Sequence, residues 1–335
     1  MIRDGTVFDD DHLPRTIVER DPEMNEVTSA LAPIERDLQA ENCFLFGPSG
    51  VGKTTVARAA VRELRKEVLE VPYTHVNCWR NYSKHSILEE LAVNLVNIPV
   101  SRNNSTIELN KRIEESFDGP GVVILDEVDQ LEEPDVLYDL DQIRGLSWIA
   151  IANREIDLFA GLEDRVRSRV SAGYRVTFDR YSEQTIIDIL DRRAREGLTP
   201  HAVSDRVLEE IALRVDGDAR TAIRSLRVAA NKSIRKGLSS VDIELVDESI
   251  IQAKGDIQRK AISKLNQHQR VVHEIVSEQG PIMQKELYDR YRNQHADPVS
   301  LRYLRKKHLP KLLHYNLVEC EKNGTKKLYK SVTHN

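Results

Sequence analysis

Two kinds of segment alternate over the first 180 residues of the chain. Short apolar runs rich in β-branched or aromatic residues predict strands at 42–46, 73–78, 122–126, 148–152 and 174–178. Between them, apolar residues recur at helical spacing over 54–67, 83–96, 107–117 and 135–144. Because strands that alternate with helices pair in parallel, the pattern predicts an α/β domain over 1–180, a parallel sheet covered by helices.

From residue 182 the strand pattern stops. Helical periodicity at 182–196, 205–215, 220–236 and 242–253 predicts an all-helical domain over 181–256. Three more helices are predicted at 266–278, 283–294 and 300–315, and Pro310 should kink or break the last because it lacks a backbone N–H. Alternating runs then flank Asn323 and Gly324, a pair typical of tight hairpins. Three helices and a hairpin predict a winged helix-turn-helix domain over 257–335.

Charge is distributed unevenly along the chain. The whole chain carries −5, but residues 257–335 hold sixteen Lys and Arg against seven acidic residues, a net +9, so the remainder carries −14. A basic domain on an acidic body is typical of a nucleic-acid-binding module; the alternative is a solvated basic surface. No apolar run reaches membrane-span length, no signal-peptide core opens the chain, and its three cysteines lack metal or disulfide spacing. We therefore expect a cytoplasmic protein without a membrane partner.

The stretch "GPSGVGKT" matches the phosphate-binding loop G-x-x-x-x-G-K-[ST] and stands between a predicted strand and a predicted helix. The candidate nucleotide-binding residues are Gly47, Pro48, Ser49, Gly50, Val51, Gly52, Lys53, Thr54 and Thr55. Glycines let backbone N–H groups surround phosphates at a helix N-terminus, while Lys53 reaches the β- and γ-phosphates and the Thr54 hydroxyl binds Mg²⁺. The sequence thus predicts binding of ATP or ADP with Mg²⁺; the alternative is a chance glycine turn.

Polar residues follow two other strands of the predicted sheet. Asp126 and Glu127 end the run "VVILDE", where Asp126 would hold Mg²⁺ and Glu127 would orient or deprotonate an attacking water. Asn153 follows the run "SWIAIA" and could hydrogen-bond both the water and the γ-phosphate, although an Asn after a strand is often only a turn residue. Arg220 lies just inside a helix that Asp218 could cap, and could reach the phosphates; the alternative is a surface arginine.

The stretch "GLEDRVRSRV" places Arg165, Arg167 and Arg169 within five residues. On a helix, Arg165 and Arg169 share a face at i and i+4, where like charges repel. The segment therefore raises the question of which anion it meets.

These motifs, in order, resemble those of the AAA+ replication initiators, and more closely the archaeal relatives of origin recognition complex subunit 1 and the cell division control helicase loaders. "VILDEVDQL" is similar to the family's Walker B motif, "IAIANRE" to sensor 1, "LEDRVRSRV" to its arginine-finger box and "GDARTAI" to sensor 2. "HQRVVHEIV" and "KELYDRY" look like its winged helix, and "LPRTIVERDPEMNEV" like the segment before the phosphate loop. The resemblance runs nearly end to end, and the arginine box, the lid and the winged helix are its specific features.

The resemblance implies ATP-controlled binding of double-stranded origin DNA and recruitment or loading of the replicative helicase, with slow, switch-like ATP hydrolysis. It implies that the residues named above serve one nucleotide. It also implies that Arg169 points at a γ-phosphate on another copy of the chain or a related initiator, with Arg165 as a supporting tether; Arg167, opposite them, is expected at the surface.

The predicted DNA contacts lie on the two elements with which a winged helix touches a duplex, the third helix and the hairpin. They are Arg302, Arg305, Lys306 and Lys307, then Lys322, Lys326 and Lys327. Arg102, in the stretch "IPVSRNNST", is a further candidate on an extra helical element that the resemblance implies in the ATPase domain.

Three other functions remain open from the residues. A clamp-loader-like ATPase would share the arginine finger but lack a winged helix. A signalling ATPase of the nucleotide-switch type would pack its winged helix on the nucleotide domain, which the +9 charge disfavours. An ATP-switched DNA-binding regulator without significant hydrolysis would need no Glu127.

Overall fold

The structure is a computed structural model that describes residues 1–101, 103–159, 162, 164–323 and 326–332; within these ranges the side chains of residues 157, 165, 314, 322, 323 and 326 are not described. The chain forms two compact units, of residues 2–223 and 224–335. The predicted domain limits at 180 and 256 stay a prediction.

The first unit contains a five-stranded sheet with the order β2-β3-β4-β1-β5, all of whose neighbours are parallel. Its strands are β1 (Cys43–Phe46), β2 (Tyr73–Asn77), β3 (Gly121–Asp126), β4 (Leu146–Ala152) and β5 (Tyr174–Thr177). Alternate residues of the central strands enter different cores: Phe44 and Trp148 pack on one face, Leu45 and Ile149 on the other. Both faces are covered, which confirms the predicted parallel sheet and explains its nearly continuous apolar strands.

Nine helices lie wholly within the described part of this unit. They are α1 (Asp21–Leu31), α2 (Lys53–Glu67), α3 (Lys84–Asn94), α4 (Thr106–Ser116), α5 (Val136–Gln142), α6 (Glu155–Phe159), α7 (Asp164–Val170), α8 (Glu183–Gly197) and α9 (Asp205–Arg214). Helix α10 (Ala219–Arg235) begins in this unit and continues into the second. Serine side chains begin several of them: Ser83, Ser105 and Ser182 accept hydrogen bonds from backbone N–H groups in the first turn.

The second unit contains the rest of α10, a long helix α11 and a C-terminal module of residues 265–332. Its elements are α11 (Val246–Ser263), α12 (Gln267–Gln279), β6 (Ile282–Met283), α13 (Gln284–Gln294), α14 (Leu301–Tyr303), α15 (Leu309–His314), β7 (Val318–Asn323) and β8 (Lys326–Ser331). The predicted hairpin is present, with β6 added on the other side of β8. The predicted end of a helix at residue 253 is wrong: α11 continues for ten more residues, because a single Gly255 is tolerated inside a helix that packs.

Pro310 distorts the third helix of the C-terminal module as expected. Between α14 and α15, Leu304–His308 form a π-helical turn, in which the N–H of Leu309 bonds back to Leu304 O. Pro310 can offer no N–H to the carbonyl four residues before it, and the wider turn also makes room for its ring. The helix is bulged rather than broken.

Three histidines and a tyrosine fill the centre of this module. His268 of α12 stacks on His295 and His308 at ring-centroid distances of 4.1 and 4.9 Å. Tyr291 Oη lies 2.7 Å from His268 Nδ1 and accepts from the N–H of Val299 at 3.0 Å. His308 is 3 % exposed, and neither of its ring nitrogens has a hydrogen-bond partner among the described residues. Burial lowers the pKa of His308 to about 4, with the charges of His268 and Lys311 acting in the same direction.

Among the described residues, none of the helices combines the length and the apolar composition that crossing a membrane requires.

Candidate functional site

The carboxyl ends of β1, β4 and β3 lie side by side at one edge of the sheet, and each is followed by a candidate residue. β1 leads into the loop of residues 47–52, which ends where α2 begins at Lys53. Gly47 has φ +151°, and a Cβ there would lie 2.4 Å from the carbonyl oxygen of Phe178, so only glycine fits. The loop therefore enters the helix N-terminus along a path that its glycines dictate, the geometry of an anion-binding loop.

Lys53 turns its ammonium group back onto this loop. Its Nζ donates to the carbonyl oxygens of Gly47 and Pro48, both at 2.6 Å, and to Asn153 Oδ1 at 3.3 Å. Burial lowers the pKa of Lys53 to about 8, an effect that the nearby Asp126 carboxylate opposes. The ammonium lies among oxygen acceptors that anionic phosphate oxygens can replace.

The two candidate Mg²⁺ ligands are already in contact. Thr54 Oγ1 donates to Asp126 Oδ2 at 2.9 Å. Burial alone would raise the pKa of Asp126, but contacts from His75 and Thr54 hold it below its usual value, so the carboxylate stays charged. A hydroxyl and a charged carboxylate are the hard oxygen ligands that Mg²⁺ takes, and these residues fit that ion.

His75 was not predicted as part of this site. It lies on β2, whose register places it opposite Ile124, and its Nε2 is 3.6 Å from Asp126 Oδ2. The sequence offers no clue to this contact, because it depends on which strand pairs with β3.

Glu127 and Asn153 complete this edge of the sheet. Glu127 adopts a left-handed conformation, φ +60° and ψ +44°, directly after β3. A non-glycine residue in that region carries strain of about 1 kcal/mol or more, which is commoner at functional sites than elsewhere. Asn153 directly follows β4, the strand between β1 and β3, and its own carbonyl accepts from the N–H of Gly47 at 3.3 Å.

The start of α10 closes over the loop. Asp218 accepts hydrogen bonds from Thr221 N and Oγ1, which is the predicted cap. Ala219 N donates to Gly50 O at 3.1 Å, and Arg220 Nη1 lies 3.4 Å from Ser49 Oγ. Of the two sequence interpretations of Arg220, the structure favours the one that places it at the phosphate loop.

The three arginines of α7 have different surroundings. Arg169 is exposed and donates from Nη1 to Tyr138 Oη at 3.2 Å, with its guanidinium 5.2 Å from the centre of that ring. Arg167 pairs with Asp164 at 3.6 Å and donates to Leu162 O. The Arg165 side chain lies outside the described part of the chain. Arg167 is therefore neutralised locally, whereas Arg169 rests on an aromatic face.

Arg20 and Tyr181 also border the loop and were not predicted. The Arg20 guanidinium lies 4.1 Å from the centre of the Tyr181 ring and donates to Asp179 O at 2.6 Å. A Cβ on Gly52 would lie 2.5 Å from Tyr181 Oη, so this ring fixes a second glycine of the loop. More than 150 residues separate Arg20 from Tyr181 in sequence, and no motif connects them.

The basic residues of the C-terminal module lie on the outer side of its third helix. Arg302, Arg305 and Lys306 are exposed and Lys307 is half-buried, while Leu304 and His308 are buried. Lys327 is half-buried on β8. The side chains of Lys322 and Lys326, and all of Arg102, lie outside the described residues. The helix therefore presents a positive surface on the side opposite its buried histidine.

Family models match two parts of the chain. Residues 36–158 match the AAA domain, and residues 187–250 match the Cdc6 AAA+ ATPase-type lid domain. These segments contain the loop, the two acidic residues, Asn153 and Arg220, and they agree with the site described above.

Curated proteins similar to nearly the whole chain are named as replication proteins. ORC1-type DNA replication protein 9 of Halobacterium salinarum is 37 % identical over 335 residues, covering 99 % of this chain and 94 % of that protein. ORC1-type DNA replication protein 1 of the same organism is 38 % identical over 308 residues, covering 91 % and 100 %. Among solved structures, the Aeropyrum pernix ORC1 protein in complex with DNA superposes with a TM-score of 0.80 at 24 % identity, covering 98 % of this chain and 93 % of that one.

Proposed function

The chain belongs to the family of ORC1-type DNA replication proteins, AAA+ ATPases that initiate replication, and we propose that ATP controls its binding of duplex DNA at a replication origin. The observation that carries this proposal is the meeting of Lys53, Thr54, Asp126 and Asn153 at one sheet edge, with Arg220 over the loop. Nucleotide binding follows from the AAA+ domain, and Mg²⁺, the DNA and the residue roles are proposed.

In this proposal the loop N–H groups and the α2 N-terminus hold the phosphates of ATP or ADP. Lys53 exchanges the carbonyl oxygens of Gly47 and Pro48 for phosphate oxygens, and Arg220 adds a second cation from the lid. Thr54 and Asp126 would hold Mg²⁺, which neutralises charge on the transferring phosphoryl group. Glu127 accepts a proton from the attacking water or orients it, and Asn153 positions it.

Arg169 is proposed to complete the site of another copy. Its guanidinium is exposed on α7, where it contacts Tyr138, so a phosphate on a neighbour could reach it. Arg165 would support it. A transition-state arginine of this kind acts on hydrolysis far more than on binding.

The C-terminal module is proposed to act as a winged helix. The third helix, with Arg302, Arg305, Lys306 and Lys307, would enter the major groove while the hairpin lysines, Lys322, Lys326 and Lys327, reach the backbone or minor groove. Arg102 stays a candidate contact of the ATPase domain. A similar solved structure holds an ORC1 protein together with DNA, which supports duplex DNA as the ligand. Recruitment of the replicative helicase and action in the cytoplasm complete the proposal.

Genomic footprinting of the native protein tests initiation. We expect enrichment at one or a few replication origins, and less of it for Lys53→Ala. Binding dispersed over promoters would instead identify an ATP-switched regulator and overturn the proposal.

The proposed role of Arg169 at the nucleotide site of another copy can be tested against a matched control on the same helix. Arg169→Ala should lower ATP hydrolysis on DNA at least about tenfold while ATP affinity stays within about twofold, because the finger acts in the transition state. Arg167→Ala, which removes an arginine already paired with Asp164, should change neither quantity. Equal hydrolysis in both variants, with several copies on one duplex, would refute the role of Arg169.

A further inference from the structure

A groove of about 320 Å³ separates α10 from α11 within the unit of residues 224–335. Five of its nine lining residues are basic and one is acidic: Arg224, Arg227, Lys232, Arg235 and Lys260, with Asp256. The α10 residues recur at helical spacing along one face of that helix. On α11, Asp256 and Lys260 are four residues apart and also share a face. Each helix therefore forms one wall of the groove. None of these residues is used by the nucleotide site.

Two members of the lining take part in ion pairs with residues outside it. Asp256 pairs with Arg259, which stands outside the lining, so the acidic member is already compensated. Lys232 pairs with Glu248 at 2.9 Å. With five basic residues against one acidic residue, the lining carries a net positive charge by composition.

The chemistry of this lining favours phosphates. Arginine presents a planar fork of N–H donors that matches phosphate oxygens, better than lysine does. Arg224 and Arg235 are eleven residues apart, about 16 Å along the helix axis at 1.5 Å per residue. One DNA strand carries a phosphate about every 3.4 Å of duplex axis, so the stripe spans about five phosphates.

A protein partner fits this groove less well. Stable protein interfaces centre on aromatic or aliphatic anchors that enter apolar pockets. Val228 is the one apolar residue in the lining, and the rest are charged or amide side chains. A polyanion without apolar side chains is therefore the better match.

The groove lies next to the module proposed to bind DNA. Gln258, two residues before Lys260, donates from Nε2 to Val332 O at 2.9 Å and to Asn316 O at 3.4 Å. These carbonyls belong to the residues that enter and leave the β7–β8 hairpin. The Lys260 end of the groove is thus fixed beside the base of the hairpin.

We propose that the α10–α11 groove binds the phosphate backbone of the same duplex that the third helix and the hairpin hold, and so lengthens the DNA contact beyond the winged helix. The inference rests on the proposed DNA binding by the C-terminal module. It assigns α10 and α11 a role in holding DNA that is separate from the contact between the start of α10 and the phosphate loop.

The test compares charge reversals inside and outside the groove. Arg235→Glu with Lys260→Glu alters two exposed lining residues, and Lys236→Glu with Lys254→Glu makes the same change directly after α10 and on α11, outside the lining. Affinity for a fluorescent duplex longer than a winged-helix footprint is measured over a series of KCl concentrations. The groove variant should lower the slope of log K against log [KCl] by about 2, since each lost phosphate contact removes about 0.9.

The control variant should change that slope by less than about 0.5, because it alters charges outside the groove and removes no phosphate contact. Arg235→Gln with Lys260→Gln removes the same two positive charges without adding negative ones. Circular dichroism checks that each variant is folded. Equal slopes for the groove and control variants overturn the inference. Binding of poly-glutamate that depends on the groove residues while DNA binding does not would also overturn it, in favour of an acidic protein.

A third variant separates the two proposals. Arg305→Glu with Lys306→Glu alters the third helix and should weaken DNA binding strongly. If it does and the groove variant does not, only the groove inference fails. If neither variant weakens binding, the proposed DNA-binding function fails with it.

Discussion

The nucleotide site and the centre of the C-terminal module both bury ionisable side chains, but under opposite conditions. Lys53 is 7 % exposed and its ammonium donates to three oxygens, while the Asp126 carboxylate contacts Thr54 and His75. His308 is 3 % exposed, and its ring nitrogens have no hydrogen-bond partner in the described part of the chain. A buried group with polar partners can stay charged, whereas one without them is held neutral.

This difference distinguishes a site whose charged groups can bind a ligand from a cluster whose rings only pack against one another. Charged groups at the sheet edge can exchange their present partners for phosphate and metal without first being desolvated. The histidine cluster offers no such exchange, since its rings stack on one another and fill space. The first region should therefore respond to ligand and the second to pH.

The largest effect is expected from removing the cation of the first region. Lys53→Ala should weaken ATP and ADP binding about 100-fold, about 3 kcal/mol, because it deletes charge-assisted hydrogen bonds to phosphate. Titration calorimetry measures this directly, and Lys53→Arg serves as the control that keeps the charge but not the geometry. Unchanged affinity in Lys53→Ala would mean that the buried ammonium does not serve the nucleotide.

The second effect is an acid sensitivity confined to the C-terminal module. The pKa of His308 is about 4 when folded and about 6.5 when unfolded, so the unfolded state binds more protons between these values. The stability contribution is full above about pH 6.5 and is lost as pH falls through 4, by at most about 3 kcal/mol. Hydrogen exchange of the α12–α15 amides, corrected for intrinsic rates, should show this loss.

His308→Leu is the matching control for that measurement. Leucine fills a similar buried space and cannot be protonated, so most of the pH dependence should disappear. The half-buried His268, whose pKa is also lowered mainly by burial, should leave a small remainder. An unaltered pH profile in His308→Leu would contradict the assignment.

A smaller effect is expected from His75, the one member of the first region that touches Asp126 from another strand. His75→Phe should destabilise the first unit by about 1–2 kcal/mol near neutral pH, because a buried charge loses a partner. The pKa of Asp126 lies below its unfolded value, so its contribution is present above about pH 4 and lost below that. Variant and wild type should therefore converge in acid-unfolding experiments, and His75→Gln should restore part of the difference.

The smallest effect is expected from Tyr291. Tyr291→Phe removes a hydroxyl that joins His268 Nδ1 to the N–H of Val299, and should destabilise the module by about 1 kcal/mol. Urea unfolding followed by exchange of the module amides measures it. If Tyr291→Phe leaves the stability of the module unchanged, the cluster is held by ring stacking alone.

The sequence was sufficient where a motif or a period carries the information locally. The five strands were predicted to within about two residues: β1, β3 and β4 are short continuous apolar runs, and β2 and β5 are marked by β-branched and aromatic residues. The residues of the phosphate loop follow from spacing alone. Pro310 was expected to distort its helix, and the π-turn shows how.

Contacts between distant segments could not be predicted. His75 meets Asp126 only because β2 pairs with β3, and Arg20 meets Tyr181 only after the first unit closes. Helix α1 was missed because its apolar residues are few, Val27, Ala30 and Leu31 being its buried ones. The histidine cluster draws one ring from α12, one from the residue after α13 and one from the π-turn, so no local pattern contains it.

The π-turn also sets the direction, around the axis of the third helix, in which its basic residues face. An α-helix advances about 100° per residue, whereas a π-turn takes up about one extra residue in a turn, so the residues before the turn are rotated by about that angle compared with a regular α-helix of the same number of residues. Leu309 and Leu312 anchor α15 in the core, which makes the rotation of Arg302 and Arg305 depend on the bulge. A relative with the same number of residues but a regular α-helical turn here would present the same basic residues about a quarter-turn away. The width of this single turn thus sets the direction in which the basic residues face.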